Sequence, residues 1–225
     1  MTIDYKDEIM LSEIKTYLNN YKFDKFVFSY GGCGTNYIRK LLNIWGNKIR
    51  KQIRNKKIKK IRYGLKKSIH LFSPPVITNN NFTAFYIFGD PYLTIQSIYR
   101  RKLCNITNIL AGKVLNSSRT KMYLDDYLNN GKDDLRLIEH FNNWFNAKTE
   151  YKIIFINYDK LFGNLDNLEK ELNITFNAKA KKMLRKRMSS INDFSEEQLQ
   201  KLDDIYGDFR SKILKLPNYW IKEPL

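Results

Sequence analysis

The sequence predicts one α/β domain over residues 1–225, with a central, mainly parallel sheet flanked by helices. Short apolar runs alternate with helical patterns along the chain, the order that builds a parallel sheet with helical crossovers. A glycine-rich turn follows the first strand-like run and leads straight into a helical pattern. Apolar residues make up 43% of the chain, with 14 Phe, 15 Tyr and 3 Trp, which is enough to fill a core and excludes wholesale disorder.

Each element follows from a local pattern. Ile9, Met10, Ile14 and Leu18 recur at helical spacing, so residues 7–19 read as an amphipathic helix. Phe26, Val27 and Phe28 make residues 24–30 a buried strand. Gly31-Gly32-Cys33-Gly34 then turns the chain, and Tyr37, Leu41, Ile44 and Trp45 give residues 35–45 one apolar helical face. Residues 67–72 read as a short strand closed by Pro74-Pro75, and residues 82–88 as the clearest strand of all. Asp90-Pro91 ends it. Pro91 suits the first turn of a helix over 92–103, where a missing N–H costs nothing. Residues 105–132 read as loop-rich. Leu137, Phe141, Trp144 and Phe145 mark a helix within 133–147, and residues 152–157 form a strand. Helical patterns follow at 165–172, 178–188 and 195–206, the last opened by a capping box of Ser195 and Gln198.

Composition narrows function by exclusion. Cys33 and Cys104 are too few and too far apart for a disulfide scaffold or a zinc cluster. His70 and His140 are the only histidines, so no metal is expected. Charged residues interrupt the first 30 positions, which excludes a signal peptide. The longest stretch free of Lys, Arg, Asp and Glu, Ser68 to Gly89, holds two prolines and three consecutive asparagines, which excludes a membrane span. The expectation is an intracellular, cytoplasmic protein. Net charge is +17, and residues 48–67 hold 11 Lys or Arg and no acid. So dense a basic insertion binds polyanions, nucleic acid or an acidic glycan among them, or is a solvated face of a lysine-rich chain. Tyr63 is its only aromatic residue, and no nucleic-acid motif accompanies it.

A strand that ends in Gly31-Gly32-Cys33-Gly34-Thr35 and enters a helix suits an anion. Glycines let backbone N–H groups converge, the helix start adds partial positive charge, and Thr35 adds a hydroxyl. An ordinary tight turn between strand and helix has the same composition. The turn lacks the Gly-Lys-Ser/Thr of a Walker A loop and the Gly-x-Gly-x-x-Gly of a dinucleotide fold. Cys33 has no evident partner base and reads as a small residue that fits the turn.

Four segments, in order, resemble the sulfotransferase family that uses 3′-phosphoadenosine 5′-phosphosulfate (PAPS). Phe28 to Tyr37 is similar to that family's strand, loop and helix for the 5′-phosphosulfate, with a Ser-Gly-Thr-Thr-Trp-like core at Cys33, Gly34, Thr35, Asn36 and Tyr37. Ser68-Ile69-His70-Leu71 is similar to its Lys-Thr-His-Leu strand. Gly89-Asp90-Pro91 through Ser97, followed by Arg100 and Arg101, resembles its Arg-Asp-Pro…Ser element for the 3′-phosphate. Ile156 to Leu161 is similar to its Tyr-Glu-Asp-Leu strand end, with Trp144 upstream on a helix as in the family. The resemblance spans residues 25–210.

The resemblance implies a P-loop-like nucleotide-binding fold, PAPS as donor, no metal, and transfer of a sulfuryl group to a hydroxyl or amine of a small-molecule or glycan acceptor. Gly31, Gly32, Cys33, Gly34, Thr35, Asn36 and Tyr37 would cradle the phosphosulfate, with Tyr37 stacking near it. Ser97, with Arg100 or Arg101, would hold the 3′-phosphate, as would Arg185 and Arg187 in a late basic segment. Tyr158 would line the adenine pocket, His70 would be the base, and Asp159 matches an acid of structural role.

Two departures stand out. Gly32 occupies the place of the family's phosphate-loop Lys or Arg, and Gly89 that of its 3′-phosphate Arg. A preorganised cation at the first place is worth roughly 10²–10³ in rate. Glycine offers nothing like arginine's bidentate fork at the second. Lys66, Lys67, Arg100, Arg101, Lys102, Arg185, Lys186 and Arg187 are the substitutes in the sequence. A second reading keeps the fold without the activity and binds nucleic acid or another polyanion through residues 48–67. A third, a kinase with an atypical phosphate loop, is weakened by the missing Lys. Taken alone, His70 reads more readily as a structural cap on a strand edge, and Tyr37 and Tyr158 as core aromatics.

Overall fold

A computed structural model of the chain describes residues 24–43, 70–77, 81–101, 123–161, 164–182 and 189–225. The helix expected over 7–19, the basic run 48–67, and Arg185 and Arg187 lie outside the described residues. The described part is α/β. In chain order it has β1 (Lys25–Ser29), α1 (Thr35–Leu41), β2 (Thr83–Phe88), α2 (Pro91–Arg100), α3 (Leu124–Asn129), α4 (Leu137–Phe145), β3 (Lys152–Asn157), α5 (Leu165–Glu171), α6 (Ala178–Lys182), α7 (Glu196–Lys215) and β4 (Tyr219–Lys222).

The strands form one open sheet in the order β1-β2-β3-β4. β1 and β2 are parallel, as are β2 and β3, while β4 runs antiparallel to β3. Phe85 of β2 lies opposite both Val27 and Ile154. The parallel strands are apolar on both faces, and Phe26 to Phe28 and Ala84 to Phe88 are all buried, as a sheet covered on both sides requires. Aromatic rings carry much of the packing. Trp144 of α4 stacks on Tyr86 at 5.0 Å and lies 4.6 Å from the Phe28 ring. Trp220 lies parallel to Phe155 at 4.5 Å and so fastens β4 to β3.

Several elements differ from the sequence reading. The described part of the expected strand 67–72, residues 70–72, is turn and bend. Pro74 and Pro75 cannot donate to a ladder, and side chains take the carbonyls of this segment instead. Trp144 Nε1–H donates to Leu71 (2.9 Å), Asn143 Nδ2 to Phe72 (3.4 Å) and the Tyr151 hydroxyl to Pro75 (2.8 Å). The end of the loop-rich stretch 105–132 is helix α3, which buries Tyr127 and Leu128 and whose Asp126 carboxylate accepts from the Tyr123 N–H at 3.2 Å. α4 starts at Leu137 because Asp133 stays outside as the acceptor for the Leu137 and Ile138 N–H groups (3.0 and 2.9 Å). The Ser195–Gln198 capping box is present, but its helix runs on to Lys215. No pattern in the sequence marks β4, which is four residues long. Among the described residues, no helix is long and apolar enough to cross a membrane.

α2 is anchored at its start. The Asp90 carboxylate accepts from the Tyr92 N–H at 2.9 Å and from Arg210 Nε of α7 at 3.0 Å, and Asp90 is buried. Asp90→Ala removes the cap and the ion pair together. It should cost about 2–4 kcal/mol in urea unfolding, and Asp90→Asn, which keeps a capping oxygen, should cost less. Equal costs would mean that the charge on Asp90 alone matters.

Candidate functional site

The carboxyl ends of β1, β2 and β3 lie side by side, the edge at which open α/β sheets bind ligands. β1 runs into the glycine turn, β2 into Gly89-Asp90, and β3 into a 3-10 turn at Tyr158–Lys160. Gly31, Gly32 and Gly34 have φ of 94°, 69° and 70°, a region where a Cβ is strained. Two of them also lack room for one. A Cβ on Gly32 would come within 2.8 Å of Thr94 on α2, and one on Gly34 would enter the Tyr158 ring. The turn is bare because α2 and Tyr158 lie against it. Position 32 therefore holds no cation for a packing reason.

Ser29, the last residue of β1, joins the turn to the histidine. Its buried hydroxyl accepts from the Gly31 N–H at 3.2 Å and lies 2.6 Å from the Thr35 hydroxyl. Its carbonyl lies 2.9 Å from His70 Nδ1. A carbonyl can only accept, so Nδ1 carries the proton and a neutral His70 keeps its lone pair on Nε2. Burial, opposed by that bond to Ser29 and aided by the Arg39 and Arg101 guanidiniums, pushes the His70 pKa down from 6.5 to about 4. His70 is thus neutral at physiological pH. It rests at the mouth of the turn, although 41 residues separate it from Ser29.

The other expected residues are distributed unevenly. Tyr158 is buried against Gly34. Tyr37 is half-buried, and burial together with the nearby Tyr158 pushes its hydroxyl up to about 12. Asn36 is exposed and accepts from Arg39 at 3.2 Å. The Cys33 side chain points inward, its thiol donating to the Ile87 carbonyl at 3.2 Å, so only its backbone belongs to the turn surface. Ser97 is buried one helical turn beyond Thr94, and Thr94 meets the turn with its methyl and its carbonyl. Arg100 and Arg101 are exposed, and Arg101 Nε donates to the Ser97 carbonyl at 2.9 Å. Gly89 is bracketed by Tyr30, whose hydroxyl donates to its carbonyl (2.5 Å) and accepts from its N–H (2.9 Å). Asp159 accepts from the Asp90 N–H at 2.6 Å.

Sequence reasoning misses Ser29, Thr94 and Arg39. Ser29 hides at the end of an apolar run. Arg39 follows Thr35 by one helical turn, on the same face, and its signal was that spacing. His140 is buried beneath the site, its Nδ1 2.9 Å from the Tyr86 hydroxyl, and burial pushes its pKa down to about 3.

Gly32→Lys, which places a cation where the sulfotransferases it resembles in sequence carry one, should destabilise the fold by at least about 2 kcal/mol in thermal or urea unfolding, through strain at positive φ and collision with Thr94. A variant as stable as the parent would show that the turn can open. The two histidines fix the acid behaviour. Both are neutral when folded and titrate near 6.5 when unfolded, so below that pH the unfolded chain binds more protons. Stability should fall as pH drops from 7 towards 4, with each imidazole contributing at most about 1.4 kcal/mol per pH unit. His140→Asn should reduce the slope of urea midpoint against pH, and an unchanged slope would remove His140 from this account. Comparison with protein-family models, with curated proteins and with solved structures finds no match for this chain, so the geometry carries the functional reading.

Proposed function

We propose that the chain is a sulfotransferase of the P-loop-like nucleotide-binding type. It moves a sulfuryl group from PAPS to a hydroxyl or amine acceptor, with His70 as general base. One observation carries the reading. The glycine turn and His70 belong to two separate segments of the resemblance, and the Ser29 carbonyl joins them at 2.9 Å. A base held beside an anion-binding turn is what this transfer needs, since its demands are in-line positioning and charge neutralisation.

The residues fit an anionic donor in kind. The left-handed glycines put no side chain of their own on the turn, although Thr94 and Tyr158 pack against Gly32 and Gly34, Thr35 adds a hydroxyl, and the fields of Arg39 and Arg101 reach His70. The donor, when bound, supplies an electrophilic sulfur and a bisphosphate leaving group. His70 takes the acceptor's proton on Nε2 as the acceptor oxygen or nitrogen bonds to sulfur and the bond from sulfur to the phosphate oxygen breaks. Tyr37 and Tyr158 flank the turn and supply aromatic faces for the nucleoside.

Calorimetric titration with 3′-phosphoadenosine 5′-phosphate, ATP and a short oligonucleotide tests the reading. Micromolar binding of the bisphosphate with weaker ATP is expected. His70→Ala should lower transfer by at least about 10²-fold and leave bisphosphate affinity within a few-fold. Transfer near that of the unaltered protein would remove His70 as the base. No bisphosphate binding, with tight salt-sensitive oligonucleotide binding, would favour a polyanion-binding protein instead.

A further inference from the structure

The hydroxyl of Ser29 has one proton and several neighbours, and those neighbours decide where the proton goes. The Gly31 N–H is a donor, so it consumes a lone pair of Ser29 Oγ at 3.2 Å. His70 Nδ1, 3.4 Å from Oγ, already carries a proton for the Ser29 carbonyl and cannot accept. The remaining partner is Thr35 Oγ1 at 2.6 Å. Oγ has a second lone pair, so the distance alone allows either direction, but donation from Ser29 to Thr35 is the arrangement that gives the buried Ser29 proton an acceptor. Ser29 is the one hydrogen-bond partner of the Thr35 hydroxyl among the described residues, so the Thr35 proton is directed away from Ser29.

We infer that Ser29 is a positioning residue that sets proton direction across this site. Its carbonyl holds His70 as the Nδ1–H tautomer, and its hydroxyl, donated to Thr35, turns the Thr35 proton outward towards an oxygen of a bound phosphate or sulfate group. One buried side chain and its own backbone thus present an acceptor, His70 Nε2, and a donor, the Thr35 hydroxyl, with opposite polarity. A neutral acceptor hydroxyl meets the first and an anionic oxygen meets the second. The inference rests on the donor-site reading above, yet its hydrogen-bond logic is a property of the protein without ligand.

Nitrogen-15 NMR of the imidazoles and calorimetry test it, with inorganic sulfate and 3′-phosphoadenosine 5′-phosphate as probes. The free protein should show His70 protonated on Nδ1. Ser29→Ala and Thr35→Val should each weaken anion binding roughly tenfold, the size of one lost hydrogen bond. The double variant should bind no worse than Thr35→Val alone, because Ser29 acts through Thr35. A proton on Nε2, additive losses in the double variant, unchanged affinity in Ser29→Ala, or no binding of either anion would each overturn the inference. Should Ser29→Ala fail to fold, the tautomer and Thr35→Val still decide. Sulfate binding with this pattern and bisphosphate no tighter would keep Ser29 in its role and remove PAPS. Tight bisphosphate binding in every variant would keep PAPS and remove Ser29.

Discussion

The close approach of α2 and Tyr158 to the glycine turn is the constraint on which this end of the molecule depends. Thr94 occupies the space that a side chain at Gly32 would need, and the Tyr158 ring occupies that of Gly34. Neither contact forms unless the ends of β2 and β3 are held in place. Asp90 caps α2 and pairs with Arg210, Asp159 accepts from the Asp90 N–H, and Tyr30 brackets Gly89 from both sides. The Tyr30 and Asp159 bonds join one strand end to the next, and Asp90 ties the end of β2 to α2 and α7. The bare turn is thus the outcome of a network spanning β1, β2, β3 and α7, and the positive φ angles of the glycines are its local expression.

The histidine depends on a different device. Its segment has no ladder in its described part, and it is pinned by donors that reach in from α4 and from Tyr151. Trp144 does two things at once, since the ring that packs on Tyr86 and Phe28 also offers its N–H to the Leu71 carbonyl. A half-buried imidazole so held is neutral but a weak base, with the Arg39 and Arg101 guanidiniums adding to the effect of burial. An anion at the turn would offset that field and strengthen the base. By linkage the converse holds, so proton and anion would favour each other's binding at this site.

Much of the fold was legible in the sequence. The strands at 25–29, 83–88 and 152–157 are runs of Phe, Ile, Val and Tyr too apolar to be anything but buried. The capping box at Ser195 and Pro91 at the start of α2 fix two helix starts by chemistry local to a few residues. What escaped reading depends on contacts distant in sequence. Nothing near His70 says that Trp144 will take the carbonyl of Leu71, so a segment with strand-like composition becomes a pinned turn. Asp133 looks like the first residue of a helix until its carboxylate is seen to cap one. β4 is four residues long, and it is a strand because Trp220 stacks on Phe155. The turn and the histidine were legible as separate pieces, whereas Ser29, which joins them, shows its role only through bonds to residues 31, 35 and 70.

The two glycines that depart from the sulfotransferase pattern carry different meanings once the packing is known. At Gly32 the absence of a cation goes with the approach of Thr94, so glycine and helix position are mutually dependent, and a simple loss of charge would not need the helix so close. Positive charge for an anion then has to come from the helices that enclose the turn. Arg39 stands one turn after Thr35 on α1, and Arg101 follows the last residue of α2. Long side chains on helix surfaces hold a charge less rigidly than a loop does, and electrostatic stabilisation of a leaving group falls with the rigidity of the charge. What this site keeps rigid is its hydrogen bonding, through a buried serine, a turn amide, a threonine and a histidine. A site built this way relies more on the direction of its protons than on the strength of its charges.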